Sequence, residues 1–254
     1  ELDITVKGLK DTSLYLVNYY GDRNYGVDSG KVDKNGRVVF KGDSLATGVF
    51  MIYCPGKLLF DIMVEDRFMT IKTDTINPIK NQTNSGSLGQ KVFNDYQKYS
   101  QELGEKNQYL MQQFEASKGN PDENQKWRDS LIALDKQVNE YRANVISKYP
   151  DLLLAKIFRM MKEPEVPEPP VREDGSIDSS FQFNYYRDHF WDNTDWKDER
   201  IARTPIFHKK LEKYMLKMTL QSPDSIIAAA DRVVALSRGH RENYKWVVYW
   251  VTSY

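Results

Sequence analysis

The chain has 254 residues, enough for one large domain or two modest ones. Apolar residues make up 40% of it, and the 28% of charged residues excludes the composition of a membrane protein. Lys plus Arg and Asp plus Glu are balanced at 36 each, which argues against nucleic-acid binding because that function usually needs a basic field. No apolar run approaches the ~20 residues that span a bilayer, so we expect no membrane-spanning segment.

Residues 2–75 carry the patterns of short β-strands. Leu2–Val6 alternates apolar and polar residues, as a half-buried strand does. The dipeptide Asn35-Gly36 predicts a tight hairpin turn, because glycine supplies the positive φ angle that such turns need. The spacing of the strands predicts a small antiparallel β-sandwich over residues 1–76. The other predicted strands are Leu14–Val17, Lys31–Asp33, Arg37–Phe40, Val49–Tyr53, Leu58–Val64 and Phe68–Thr73.

The polar stretch 77–89 is predicted to be a linker, and helical spacing replaces strand spacing after it. The clearest helix begins at Asn120-Pro121, a capping residue followed by a first-turn proline. Its apolar residues recur every three or four positions and form one narrow seam, so we expect it to pack against the preceding helix as an antiparallel hairpin. The predicted fold class is α+β in two parts, with an all-α helical domain over residues 90–254.

Two later segments complete the predicted organisation. Residues 163–170 contain four prolines and predict an exposed extended loop. Trp246, Trp250 and Tyr254 lie on an apolar helix face that we expect to contact a partner, and the interruption of this face predicts that the native chain continues. The chain starts at Glu1 without a methionine, so we expect that a preceding segment, such as a secretory signal, was removed.

Asp188, His189 and Asp192 are the candidate residues for chemistry. Together with Asp195, these side chains could form a metal site or an acid-base cluster. The alternative is that the aspartates cap turns while the neighbouring aromatic residues anchor a core, and we prefer this structural interpretation.

The sequence predicts no other active site and no cofactor. Its single cysteine, Cys54, cannot form an internal disulfide, a Cys-x-x-Cys pair or a cysteine-based zinc site. Gly-x-Ser-x-Gly and glycine-rich phosphate-loop motifs are absent from the sequence. We therefore expect that this chain is not an enzyme.

Several segments together resemble one known arrangement. The opening strands and the run Gly48–Asp61 resemble the N-terminal β domain of thioredoxin-like (AhpC/TSA-type) envelope proteins of Bacteroidetes. The helical part is similar to the domain of unknown function that follows it in those proteins. The segments that carry the resemblance are Ile4–Leu9, Leu14–Leu16, Tyr19–Asp22, Phe190–Asn193, Asp198–Arg200, Arg203–Phe207 and Pro223–Ala229.

In such proteins a signal peptide precedes these domains and a thioredoxin fold with a Cys-x-x-Cys motif follows them. The resemblance implies an exported protein of the periplasm or cell envelope, with lipid anchoring left open. It also implies a partner, the downstream thioredoxin-like domain of the same polypeptide, and a possible protein client.

Three functional hypotheses follow, in order of preference. The first is a non-catalytic accessory region of a thiol-disulfide oxidoreductase, which positions the redox domain or recruits its client. The second is a stand-alone periplasmic or surface protein that binds a peptide or glycan. The third, far behind, is a hydrolase or metal enzyme centred on Asp188, His189 and Asp192.

Overall fold

A computed structural model describes residues 1–42 and 45–253. Strands in the first part are followed by helices, which confirms the predicted α+β architecture in two parts. The chain divides into two compact units. The first unit consists of Glu1–Asn18 and Gly26–Ala155, and the second consists of Tyr19–Tyr25 and the residues from Lys156 onward. The domain boundaries inferred from the sequence stay a prediction.

The strands form two four-stranded sheets. The first sheet has the order β4-β1-β7-β8, and the second has the order β3-β2-β5-β6. Side chains alternate between buried and exposed along most strands, as expected for sheets with one covered face. The strands are β1 (Leu2–Lys7), β2 (Ser13–Tyr20), β3 (Arg23–Lys31), β4 (Arg37–Phe40), β5 (Gly48–Cys54), β6 (Leu58–Val64), β7 (Met69–Asp74) and β8 (Thr83–Ser85).

One strand pair departs from the predicted antiparallel pattern. β1 pairs with β7 in parallel, with Leu2 opposite Met69 and Lys7 opposite Asp74. Parallel neighbours need a long connection. Between β1 and β7 the chain forms the strands of the second sheet, and these residues provide the long connection.

The predicted strand Lys31–Asp33 and its hairpin pairing with Arg37–Phe40 are wrong, but the predicted tight turn at Asn35-Gly36 is confirmed. Gly36 has a φ of +79°, and its N–H donates to the Asp33 carbonyl at 3.0 Å. The strand in this region is β3, which ends at Lys31, and it lies in a different sheet from β4. The turn between them is built on Asp33, whose carboxylate accepts the N–H groups of Asn35 and Arg37. Nearly all of β3 is exposed, so it lacks the apolar alternation by which a strand is recognised in sequence.

The polar stretch predicted as a linker is ordered by hydrogen bonds to the side chain of Asp74, the last residue of β7. Asp74 accepts the N–H groups of Ile76 and Asn77, and its second carboxylate oxygen accepts the Asn81 side-chain amide. The stretch then contributes β8, which pairs with β7. Its polar composition therefore reflects a hydrogen-bonded turn, a device that Asn and Asp commonly supply.

Two long helices, α1 (Leu88–Ala116) and α2 (Pro121–Lys148), form the predicted antiparallel hairpin. Tyr99 in the first half of α1 stacks on Tyr141 in the second half of α2, with ring centroids 4.3 Å apart. The Asn120 side chain caps α2 by accepting the Glu123 N–H, as predicted. Leu134 of the predicted seam is buried.

A buried amide chain fixes α1 to the second sheet. Gln90 Oε1 accepts the main-chain N–H of Met63 in β6 at 2.6 Å, and Gln90 Nε2 donates to Gln82 Oε1 at 2.6 Å. Both glutamines are buried. A buried amide needs such partners, because an unpaired one loses its hydrogen bonds to water without replacement.

The second unit is mainly helical, with strand residues only in its segment Tyr19–Tyr25 among the elements described. Its core contains a cluster of aromatic rings, and its prolines at residues 164, 167, 169 and 170 lie in a segment without helix or strand, as predicted. Helix α3 begins at the end of the first unit and continues into the second. The helices are α3 (Leu153–Met161), α4 (Phe181–Asp188), α5 (Pro205–Glu212), α6 (Pro223–Ser237) and α7 (Arg241–Ser253), with a 3₁₀ segment at Glu199–Arg203 and a π-helical segment at Lys213–Lys217.

Candidate functional site

The structure does not bring the three predicted site residues together. His189 Nδ1 lies 2.6 Å from Asp192 Oδ2, and the imidazole stacks on Tyr185 with ring centroids 4.1 Å apart. These residues line one cavity of about 300 Å³. Asp188 contacts Arg187 and lines a different cavity. Within residues 1–42 and 45–253, no group of three or more His, Cys, Asp or Glu side chains could hold a metal ion.

The aromatic residues around this segment pack inward. Phe190, Trp191 and Trp196 are buried in the core of the second unit. Asp195 forms an ion pair with Lys156, with Nζ and Oδ2 2.5 Å apart, and this pair lowers the pKa of the Asp195 carboxyl. The segment thus supplies core rings and turn contacts.

The residues predicted to contact a partner have different surroundings. Trp246 is 1% exposed and lies in the core of the second unit, so it offers almost no surface. Its ring packs so closely on Gly21 that a Cβ added to the glycine would lie 2.0 Å from it. Trp250 is half-buried against the same core, and Tyr254 lies outside the described residues. Their role in binding stays a prediction.

Cys54 is a buried thiol at the end of β5. Its Sγ lies 3.3 Å from the Thr12 hydroxyl oxygen. The side chain therefore behaves as a small core residue, and its burial keeps it from solvent.

Four polar side chains form a cluster that the sequence did not predict: Glu163, Tyr186, Lys210 and Lys213. Tyr186 donates to Glu163, and Lys213 Nζ donates to the Tyr186 hydroxyl at 2.8 Å and to Glu163 Oε1 at 3.1 Å. Lys210 lies beside them, with its Nζ 4.4 Å from the centroid of the Phe190 ring. Lys210 and Lys213 are three residues apart and share a helix face, but nothing in the sequence indicated that Glu163 and Tyr186 would join them.

The electrostatics of this cluster follow from burial and pairing. Burial raises the pKa of Glu163, but the hydrogen bonds from Tyr186 and Lys213 outweigh it, so the net pKa is lowered. Burial lowers the pKa of Lys210 to about 8. Lys210 Nζ donates to the Met160 carbonyl at 2.7 Å, which satisfies a group in the last turn of α3. The cluster thereby fastens α3 and the proline-rich segment to α4 and α5.

An exposed apolar row crosses the outer face of the second sheet. Tyr15 lies opposite Tyr53, and Tyr53 lies opposite Leu59, so the three side chains span β2, β5 and β6. They are 40%, 38% and 57% exposed, while their neighbours along each strand point into the core. The two tyrosine rings lie 6.3 Å apart. We call Tyr15, Tyr53 and Leu59 the apolar row.

The chain is an α+β protein with a two-sheet part and a helical part, and one comparison matches its first part. Residues 1–93 match the model of a family described as a domain of unknown function (DUF4369). This match covers both sheets and the first turns of α1. A search of curated proteins found no match, and a search of solved structures found none either. In the described part of the chain, no helix is both long and apolar enough to cross a membrane.

Proposed function

We propose that this chain is a non-catalytic interaction region of an exported thioredoxin-like thiol-disulfide oxidoreductase. It positions the redox domain that follows it in the same polypeptide or recruits that domain's client. The proposal places the protein in the periplasm or cell envelope of a member of the Bacteroidetes, as the sequence resemblance implies. The chain itself supplies a docking surface.

The apolar row carries this proposal. Two tyrosines and a leucine exposed side by side on one sheet face have the composition of an interaction surface, where aromatic residues contribute much of the binding energy. The row lies within residues 1–93, the part that matches a family model. The resemblance to thioredoxin-like proteins rests in part on the same strands.

The small size of the row favours a tethered partner. Three side chains bury far less than the roughly 1,200 Å² that stable complexes of separate proteins need. A domain on the same polypeptide is present at an effective concentration of about millimolar through a short linker, so a weak contact is sufficient. We therefore assign the row to the downstream thioredoxin-like domain.

A stand-alone protein that binds a peptide or glycan is the second candidate. Cavities in the second unit favour it, including the one of about 300 Å³ that His189 and Asp192 line. Cavities of this size can hold a small ligand.

Site-specific photo-cross-linking in the full-length protein tests the proposal. We would replace Tyr53 with p-benzoyl-phenylalanine and, as a matched control, make the same replacement at Ile132. Ile132 is 62% exposed, so it is more accessible than Tyr53, and it lies on helix α2 instead of on the sheet that carries the row. We expect a cross-link from position 53 to the thioredoxin-like domain, identified by mass spectrometry, and none from position 132.

Equal cross-linking from positions 53 and 132, or none from either, would contradict the assignment of the row. A cross-link from position 53 to a separate protein would show that the apolar row binds a client and not the redox domain.

A further inference from the structure

Two arginines converge on one carboxylate in the second unit. Arg187 at the end of α4 places Nη2 3.3 Å from Asp188 Oδ1. Arg232 on α6 places Nη1 3.7 Å from the same oxygen and also donates to the Asp188 main-chain carbonyl. One carboxylate balances the charge of one guanidinium, so the group of three carries a net positive charge. Guanidinium groups with this surplus are suited to bind a further carboxylate.

The cavity beside this group has an apolar wall. Arg187, Asp188 and Arg232 line it, and its volume is about 300 Å³. The remaining wall is mostly apolar, with Leu220 exposed at its edge. Two small side chains of α6, Ala228 and Ala229, leave room there for a ligand of a few carbon atoms.

One hydroxyl in the wall is available to donate a hydrogen bond. Ser222 Oγ donates to Ser225 Oγ at 2.9 Å, so the Ser225 hydroxyl proton is not used in that contact. Ser225 lines the cavity. The Thr219 hydroxyl, in contrast, donates to the Tyr214 carbonyl at 2.9 Å and helps to fix the wall.

We propose that this cavity binds a carboxylate attached to a small aliphatic group. Arg232 and Arg187 hold the carboxylate, Ser225 donates to it, and Leu220, Ala228 and Ala229 contact the aliphatic part. The C-terminal residue of a peptide and a free short-chain carboxylic acid share this chemistry. The site does not depend on whether a thioredoxin-like domain follows the chain.

Asp188 competes with the ligand in this arrangement. Its carboxylate already occupies both guanidiniums, and its side chain is exposed enough to be displaced. Removing its charge should therefore strengthen binding, whereas removing an arginine should weaken it. These opposite effects distinguish a carboxylate site from a surface that merely collects apolar molecules.

The test is a titration of the protein with N-acetyl-leucine at low ionic strength. Binding is monitored through the chemical shifts of the protein's backbone amides. N-acetyl-leucinamide, which has the same aliphatic group but no charge, is the matched ligand. We expect saturable binding of the acid with shifts in α6, and binding of the amide weaker by at least about tenfold, because charge-assisted hydrogen bonds are lost. A third ligand, 4-methylpentanoate, separates the two sources: equal binding assigns the site to simple acids, and weaker binding assigns it to peptide termini.

The variants use the same titration. Arg232→Gln should weaken binding of the acid by at least about tenfold, and Asp188→Asn should strengthen it by about threefold or more. Arg241→Gln, which removes an exposed arginine outside the cavity, should leave it unchanged. Circular dichroism checks that each variant is folded. If a variant does not fold, the difference in affinity between the acid and the amide, measured on the unchanged protein, still tests the proposal.

Equal affinity for the acid and the amide would overturn the proposal, as would no saturable binding of either carboxylate. Weakened binding of the acid in Asp188→Asn would overturn the competition between ligand and Asp188.

Discussion

The two units have cores of different kinds. The core of the first unit consists mainly of aliphatic side chains at alternating positions of strands, such as Ile4, Leu16 and Ile71. The core of the second unit is built around aromatic rings, with Trp191 and Trp196 5.1 Å apart. Lys210 reaches this aromatic core, with its Nζ 4.4 Å from the centroid of the Phe190 ring. The comparison teaches that strand periodicity specifies the first core, whereas the second core combines helix faces with rings such as Trp191 and Trp196, which lie in a segment without helix or strand.

The largest effect is expected in the aromatic core. Phe207→Ala removes a fully buried ring that contacts Trp196, with centroids 5.4 Å apart, and should lower the free energy of unfolding by about 3–5 kcal/mol. Denaturant unfolding followed by tryptophan fluorescence measures it. Phe183→Ala removes an exposed ring of α4 and is the control, with an expected change within about 0.5 kcal/mol. Similar small losses in both variants would show that the aromatic cluster is not a core.

The helical hairpin gives the next effect. Leu134 is 4% exposed in the seam of α2, and Leu134→Ala should cost about 2–5 kcal/mol of unfolding free energy, since it leaves a cavity. Ile132→Ala, two residues away and largely exposed, should cost less than about 0.5 kcal/mol. Chemical denaturation followed by circular dichroism compares the two, and a loss for Leu134→Ala as small as for Ile132→Ala would refute the packed hairpin.

Much of the first unit was predictable, and the reason is periodicity. The alternation in Leu2–Val6 and the seam that contains Leu134 each repeat a geometric period of a regular element. β3 escaped prediction because its residues are exposed on both faces. In the second unit, Gly21 and Trp246 meet although they lie far apart in sequence, and no local pattern encodes that contact.

The candidate sites also differ in how far the sequence could predict them. His189 and Asp192 are three residues apart, and their contact was within reach of sequence reasoning. The convergence of Arg232 on Asp188 joins residues 44 positions apart on two helices, so it required the fold. The apolar row was hidden for a different reason. Tyr15, Tyr53 and Leu59 share a face only because of strand register, which a single sequence does not specify.

The first unit also contains a polar element, the buried amide chain of Gln90 and Gln82, so its stability should depend on more than aliphatic packing. Gln90→Ala leaves the Met63 N–H and the Gln82 amide without this partner and should cost about 1–3 kcal/mol of unfolding free energy. Thermal or denaturant unfolding measures the loss. Gln125→Ala removes an amide from the exposed face of α2, so its effect should be within about 0.5 kcal/mol. A neutral Gln90→Ala would mean that α1 does not depend on this contact.

The last prediction concerns pH. Burial lowers the pKa of Lys210 to about 8 in the folded protein, below the ordinary value of 10.5. Between these values the unfolded state binds more protons, so the free energy of unfolding should rise with pH, by less than about 1.4 kcal/mol per pH unit. Lys210→Met should flatten this rise between pH 8 and pH 10. The burial that raises the pKa of Tyr20 to about 12 acts only above pH 10 and lies outside this window. Identical slopes in both proteins would contradict the depressed pKa.

The most direct test of the proposed function is the sequence of the native reading frame beyond codon 254. An in-frame thioredoxin-like segment with a Cys-x-x-Cys motif is the predicted result, and it would make the apolar row the first place to search for docking. A stop codon soon after Tyr254 would contradict the accessory role, and a stand-alone ligand-binding protein would then be the better account.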